Sequence, residues 1–275
     1  TGNPNGTTTD TLILDQLRPY KGYRSIALVQ PRYDSNYHSM QIAVEHRFSG
    51  YSYVKLAYTW SKNLTNNPSD RSNSPQNPYD IRSEYQRAAL DRRHILNINY
   101  AYVLPFFKTQ QGFIGKTLGG WQASGIVTYN SGLPFTATTS NLDPAGLGLI
   151  LANPVARPNL ICDPNANAPH TVQWVTIDCF QTNPSNTATG LANTPGNAQR
   201  GIINGPPTKR VDFTMSKNVR FSENVRVQLR AEVFNILNKT NYRSFVSTNV
   251  TSTSFGLVGA YRDPRTMQFG AKVQF

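Results

Sequence analysis

The chain has 275 residues, only 38% of them apolar, a mean hydropathy of -0.45 and a formal net charge of +12. This composition is too polar for two soluble cores, and a membrane-spanning helix is excluded because no apolar run approaches the required length of about 20 residues. The 14 tyrosines and 13 phenylalanines in such a polar chain are typical of a transmembrane β-barrel, whose interior is wet.

The basic residues do not form a nucleic-acid-binding surface in the sequence. Lys and Arg are spread along the chain, and no zinc-finger spacing, basic helix or aromatic ribonucleoprotein signature appears. We therefore expect no nucleic-acid partner. A lumen that attracts anions, or contact with anionic lipid headgroups, accounts for the same charge.

The beginning of the chain differs from the rest in composition. Residues 1–17 are rich in Gly, Asn and Thr and predict a lead-in loop, and the barrel segment is expected over 18–275. No signal peptide is visible at Thr1, so we expect an exported barrel of this kind to be a fragment or a processed chain.

Apolar and polar residues alternate with the period of a half-apolar strand in eight segments. The predicted strands lie at about 24–30, 37–48, 52–62, 94–104, 121–129, 211–221, 225–233 and 266–275. Most of these segments have about 10 to 13 residues, which suits a tilted bilayer strand better than the five or six residues of a usual sandwich strand.

Short and long connections alternate between these strands. Short turns are predicted at 49–51, 105–117 and 222–224, and long loops at about 63–90, 136–209 and 237–264, with a helical turn near 83–89 and only the connection 31–36 brief among the long ones. Outer-membrane barrels have short periplasmic turns and long extracellular loops. The sequence thus predicts an all-β fold, an antiparallel transmembrane β-barrel segment with long extracellular loops.

A series of motifs in fixed order strengthens this interpretation. The motifs are Asp91-Arg92-Arg93-His94, Leu104-Pro105-Phe106, Gly119-Gly120-Trp121, Ser131-Gly132-Leu133-Pro134-Phe135, Arg230-Ala231-Glu232-Val233-Phe234-Asn235-Ile236-Leu237-Asn238 and Gln268-Phe269-Gly270-Ala271-Lys272-Val273-Gln274-Phe275. Together they resemble the C-terminal part of TonB-dependent outer-membrane transporters, in particular the Oar-like group with a carboxypeptidase-regulatory-like N-terminal domain. The resemblance runs from about Arg18 to Phe275.

The resemblance implies a barrel of about 22 strands, of which this chain supplies about eight, in the outer membrane of a Gram-negative bacterium. It also implies an N-terminal plug and energy from an inner-membrane complex, which acts through a part of the protein that this chain lacks. We expect a component of a receptor that takes up a bulky, unidentified solute. The alternative is a structural or adhesive outer-membrane protein without active transport.

The last strand carries a second implication of the resemblance. Its apolar face is Met267, Phe269, Ala271, Val273 and Phe275, and the chain ends on an aromatic residue. Outer-membrane proteins of this kind present such a strand to the barrel-assembly machinery, so Phe269, Val273 and Phe275 are the candidate assembly signal. Outer-membrane lipid is the other expected partner of this face.

The two cysteines, Cys162 and Cys179, lie in a stretch rich in Pro and Asn. In an exported protein they are expected to form a disulfide. The alternative is a weak metal site in which His170, Asp163 or Asp178 would take part.

Residues for enzyme chemistry are sparse. The four histidines are scattered and no nucleophile motif is present, so we expect no catalytic activity and no cofactor. His94 beside Arg92 and Arg93 is a candidate anion site at a barrel rim, or else a group at a strand start that hydrogen-bonds to a neighbouring loop.

Two further sets of residues have a functional and a structural interpretation. Asp70, Asp80 and Glu84 are candidate calcium ligands or solvated loop carboxylates. Trp60 and Trp121 are expected to be membrane-interface anchors rather than residues that stack on a ligand.

Overall fold

The structure is a computed structural model that describes residues 20, 31–48, 50–67, 75–140, 156–166, 168–182, 194–220 and 225–275. The long strands are β1 (Ser35–Arg47), β2 (Tyr53–Thr65), β4 (His94–Val103), β5 (Trp121–Asn130), β10 (Thr208–Arg220), β11 (Arg226–Phe234) and β12 (Thr266–Gln274). The two-residue strands are β3 (Gln86–Arg87), β6 (Pro134–Phe135), β7 (Asn159–Leu160), β8 (Phe180–Gln181) and β9 (Ile203–Asn204). The helices are α1 (Gly112–Leu118) and the 3-10 helices Ile81–Glu84 and Ile177–Cys179.

The long strands form one antiparallel sheet in the order β1-β2-β4-β5-β10-β11-β12, and β3 pairs with the end of β2. Each long strand pairs with the long strand that follows it, so the sheet is a meander. The all-β antiparallel fold and seven of the eight predicted strands are confirmed. The predicted strand at 24–30 lies outside the described residues.

The register brings the apolar residues of the seven long strands onto one face, because directly paired residues of antiparallel strands point to the same side. One row across five strands is Val44, Leu56, Ile98, Val127 and Val211. A second row is Tyr102, Ala123, Met215, Ala231 and Phe269. A shift of one residue would turn a strand's whole apolar set to the polar face, so this pattern specifies the register.

This apolar face is not packed into a core. Among the described residues of the long strands, Ala101 is the one buried hydrophobic residue, and it lies on the polar face. Large side chains of the apolar face are exposed, including Met40, Ile42, Val44, Trp60, Tyr102, Leu229, Met267, Phe269 and Val273. A face of this size in a soluble protein would be covered, so its exposure indicates that it is turned to lipid.

Antiparallel order separates the connections into two groups. The connections over 66–93, 131–207 and 235–265 lie at one end of the sheet, and those over 48–52, 104–120 and 221–225 at the other. The turn after β1 closes with a 2.8 Å hydrogen bond from Phe48 N to Ser52 O and uses Gly50 at φ +77°, a conformation that glycine adopts without strain. The predicted turn at 222–224 lies outside the described residues.

The connection predicted as a short turn at 105–117 contains a helix, α1, which the sequence did not predict. Its seven residues are too few to show a helical period, and glycines stand inside and after it. The helix is fixed by contacts that lie far away in sequence, and these are described below.

The expected helical turn near 83–89 is displaced. The structure has a 3-10 helix at Ile81–Glu84, where Asp80 Oδ1 accepts a hydrogen bond from Ser83 N. Gln86 and Arg87 pair with the end of β2 instead of continuing the helix.

The long connections pack together into what we call the loop layer, the described residues of 75–93, 131–140, 156–182, 194–207 and 235–265. Its hydrophobic core consists of Ala137, Val175, Ile203 and Phe255, with Phe135, Trp174, Phe180, Ile202, Phe245 and Val250 packed against it. The described parts of the predicted loops are therefore ordered by short strand pairs and isolated bridges, which have no period long enough to see in a sequence.

Candidate functional site in the loop layer

A buried carboxylate with two arginines joins two of the long connections. Glu84 is 2% exposed, and its carboxylate accepts hydrogen bonds from Arg157 at 2.9 Å and from Arg200 at 3.1 Å. The backbone N–H of Gln76 donates to the same carboxylate at 3.0 Å. Arg200 also donates to the carbonyl oxygen of Thr65 at the end of β2, so this cluster ties the loop layer to the sheet.

Opposing effects act on the pKa of Glu84. Burial raises the pKa because the charged form loses solvation. The hydrogen bond and positive charge of Arg157, the hydrogen bond from Gln76 N–H and the positive charge of Arg200 together lower it by more than burial raises it. The net pKa lies below the ordinary value, so the carboxylate stays ionised. This triad is a structural ion cluster, and the calcium interpretation is wrong for Glu84. Asp80 caps a helix instead, and Asp70 lies outside the described residues.

A second ion pair lies next to the triad. Arg87 Nε donates to Asp91 Oδ2 at 2.8 Å, and Asp91 is 1% exposed. The other carboxylate oxygen of Asp91 accepts from Asn63 N, and Arg87 Nη1 donates to Asn204 Oδ1 at 2.6 Å. These contacts connect β2, the first long connection and the second long connection.

The structure joins Cys162 and Cys179 by a disulfide, with Cα atoms 4.8 Å apart. The two residues flank the pairing of β7 with β8, and Ile161 N donates to Cys179 O at 2.9 Å. The rival metal site has no support from the described residues, among which no three His, Cys, Asp or Glu side chains are grouped to hold a metal ion. His170 packs on the Trp174 ring, and Asp163 Oδ1 accepts from Asn165 N.

Beside the disulfide lies an open pocket of about 580 Å³. Three arginines contribute to its lining, Arg87, Arg93 and Arg200. Arg87 and Arg200 already contact carboxylates, whereas no hydrogen bond or ion pair to the Arg93 guanidinium occurs within the described parts of the chain. Arg93 is thus available to a negatively charged group that enters the pocket.

The three basic residues proposed as a rim anion site are separated by the structure. His94 Nδ1 lies 2.8 Å from Tyr58 Oη, and Arg92 Nη1 donates to Ser131 O. Both therefore hold the start of β4 to its neighbours. The alternative interpretation expected such a contact to a loop, but the His94 ring contacts strand β2. Arg93 alone of the three lines the pocket.

The sequence patterns did not single out three residues that prove important in the structure. Arg157 and Arg200 are distant from Glu84 along the chain, and no sequence signal pairs them. Lys217 could have been noticed, since it is the one charge in the apolar row Val211, Phe213, Met215, Lys217, Val219 of β10.

The candidate assembly residues lie on the last strand and just beyond it. Phe269 pairs with Ala231 and is 82% exposed, and Val273 pairs with Val227. Phe275 follows β12 and is fully exposed. Trp60 and Trp121 lie near opposite ends of the apolar face, which is the arrangement of two interfacial belts.

Comparisons with known proteins identify the family. No helix in the described ranges is long and apolar enough to cross a membrane. No curated protein and no solved structure matches the chain. A family model described as outer membrane beta barrel domain matches residues 1–268. The chain therefore belongs to the outer membrane β-barrel domain family, and its location is the outer membrane of a Gram-negative bacterium.

Proposed function

We propose that the chain is the C-terminal barrel part of a TonB-dependent receptor of the Oar-like kind, and that it takes part in the uptake of a bulky solute. The observation that carries the proposal is the pocket at the long-loop end of the sheet, which contains the available guanidinium of Arg93. A receptor captures its solute on this side before transport. The ordered motifs of the sequence support the same assignment.

The polar face of the sheet supports passage of a solute. Opposite the apolar rows, Thr214 pairs with Glu232 and Ser216 pairs with Arg230. Arg230 and Glu232 form an ion pair at 2.6 Å, and Gln268 contacts Glu232 from the neighbouring strand. A continuous polar face of this kind is what a water-filled barrel interior requires.

The proposal includes partners besides the solute. The barrel-assembly machinery would insert the chain into the membrane, and an inner-membrane energising complex would act through an N-terminal part of the protein. The function proposed is binding and transport, with no catalytic step and no cofactor.

The proposed transport is testable without knowing the solute. Spent growth medium would be compared for the wild type, a strain lacking the gene and a strain lacking the energising complex. We expect at least one solute to be depleted by the wild type only, and Arg93→Ala in the complete protein to slow its depletion, with Arg92→Ala as the matched control. If the deletion strain depletes the medium as the wild type does, transport is refuted.

A structural or adhesive role is the second candidate. The buried triad around Glu84 and the disulfide favour a rigid outer surface, which suits attachment to a partner. In this case the gene deletion would reduce attachment of cells or envelope integrity while leaving the composition of the spent medium unchanged.

A further inference from the structure

The side chain of Lys217 shows where α1 lies relative to the sheet. In the register Lys217 is paired with Trp121 and with Leu229, so it belongs to the apolar face. Its Nζ donates to Thr117 O at 2.6 Å and to Gly119 O at 3.0 Å. The C-terminal end of α1 is therefore held on the apolar side of the sheet, at the end with short connections.

The contacts of Lys217 also compensate the positive charge of its ammonium group within the apolar face. The last carbonyls of a helix carry partial negative charge and favour a cation. The ammonium lies 4.7 Å from the centre of the Trp121 ring, and Trp121 Nε1 donates to Thr117 O at 3.2 Å. Lys217 and Trp121 together fix α1 against the edge of the apolar face.

The connection that contains α1 presents large apolar side chains to its surroundings. Phe113 is 86% exposed, Ile114 63% and Leu118 52%. Phe106 and Phe107, before the helix, are 60% and 50% exposed. Nothing in the described part of the chain covers this patch, which we call the α1 patch and define as Phe106, Phe107, Phe113, Ile114 and Leu118.

We propose that the α1 patch binds the phospholipids of the periplasmic leaflet, with α1 lying in the membrane interface. The patch is continuous with the lipid-facing surface through Trp121, and the end of the sheet with short connections is the periplasmic end of such barrels. The inference rests on the family assignment and is independent of the transport proposal.

The charges around the patch fit the same partner. The connection 104–120 contains Lys108 and Lys116, both exposed, and no acidic residue. Exposed apolar side chains flanked by lysines are typical of segments that lie in an interface containing anionic lipid. A soluble protein partner would not require continuity between the patch and the apolar face.

A depth measurement tests the proposal. Phe113→Cys would be labelled with an environment-sensitive fluorophore in the complete protein, reconstituted in vesicles of phosphatidylethanolamine and phosphatidylglycerol. Tyr79→Cys is the matched control, because Tyr79 is also 86% exposed but lies in the loop layer. We expect brominated lipids to quench the label at 113 several-fold more than the label at 79, and aqueous iodide to show the reverse order.

Two further measurements separate lipid from other occupants. Lys116→Gln should reduce the quenching by brominated lipid in vesicles with phosphatidylglycerol and have little effect in vesicles without it. Phe113→Asp should lower the yield of protein in the outer membrane relative to Phe113→Leu. Equal iodide quenching at 113 and 79 in vesicles, or a label at 113 protected only in native membranes, would overturn the proposal, the second result indicating a protein partner.

Discussion

Two charged side chains with little exposure, at opposite ends of the sheet, are stabilised in different ways. Glu84 is compensated by two guanidinium groups and by a backbone N–H. Lys217 has carbonyl oxygens and an aromatic ring as its partners. The first arrangement depends on the charge of every member, whereas the second requires one cationic side chain long enough to reach the carbonyl oxygens.

Replacement of Glu84 by Gln should open the loop layer locally. The substitution leaves Arg157 and Arg200 buried without their counter-charge, and the loss of one member of a buried ion pair costs about 3–5 kcal/mol. Limited proteolysis of the reconstituted protein should show faster cleavage within 131–207, while the β content stays unchanged. Asp80→Asn, at an exposed helix cap, is the control. Cleavage rates equal to wild type would contradict the role assigned to the triad.

The same triad predicts that the stability of the loop layer depends on pH. Because the pKa of Glu84 in the folded loop layer lies below its ordinary value of 4.5, the ionised carboxylate contributes stability that is fully present above pH 4.5. This stability is lost as the pH falls from 4.5 through the folded-state pKa. Proteolysis by an acid-active protease should accelerate over that range in the wild type, and the acceleration should be reduced in Glu84→Gln. An identical acceleration in both proteins would argue against Glu84 as the titrating group.

Lys217 is expected to tolerate Arg better than Gln. A glutamine is shorter and uncharged, so the carbonyls of Thr117 and Gly119 lose a charged donor that is worth about 1.5–3 kcal/mol. The thermal unfolding of the protein in detergent, followed by heat-modifiable migration on gels, would compare Lys217→Gln with Lys217→Arg. Equal midpoints for both variants would show that the charge has no role in holding α1.

At the scale of elements, the Cys162–Cys179 disulfide is a prediction for the exported protein. It would close a loop between two cysteines that are 17 positions apart in the sequence. On the chain-entropy model, such a loop stabilises the folded state by about 3 kcal/mol. Thiol labelling of the unreduced, denatured protein should find no reactive cysteine. Two free thiols, or a stoichiometric metal removed by a chelator, would contradict it.

The last strand makes a separate prediction about assembly. We expect deletion of Phe275, or Phe275→Asp, to reduce the amount of the complete protein in the outer membrane far more than Gln274→Ala, because Gln274 lies on the polar face. If Phe275 only anchored the chain at the interface, its loss would reduce stability modestly and leave insertion intact. Equal yields for all the variants would exclude an assembly role.

The sequence predicted the long strands well and the loop layer poorly, for a physical reason. A strand such as β11 places an apolar residue at every second position from Val227 to Val233, so its period of two is visible over the whole segment. The triad of Glu84, Arg157 and Arg200 depends on contacts between distant residues that have no local signature. α1 falls between these cases, because a residue distant in sequence, Lys217, helps to hold a helix that is too short to show its own period.

At the scale of the whole molecule, the exposed apolar face predicts a requirement for lipid or detergent. The strands bury too little apolar surface against one another to fold in water, and unpaired backbone groups are costly within a bilayer core. Circular dichroism should show β structure in detergent or vesicles. A soluble, monomeric and cooperatively folded protein in plain buffer would refute the membrane assignment.

The ion cluster in the loop layer has a consequence for the timing of motion at that end of the sheet. Arg200 contacts Glu84 from the first long connection and Thr65 at the end of β2, and Arg87 contacts Asn204 from the second. The third connection joins the same assembly through bridges from Asn249 to Thr138 and from Leu257 to Gln173. One connection cannot swing away without breaking contacts to another, so the three should open as one cooperative unit, in rare and concerted events rather than by independent fluctuations of each.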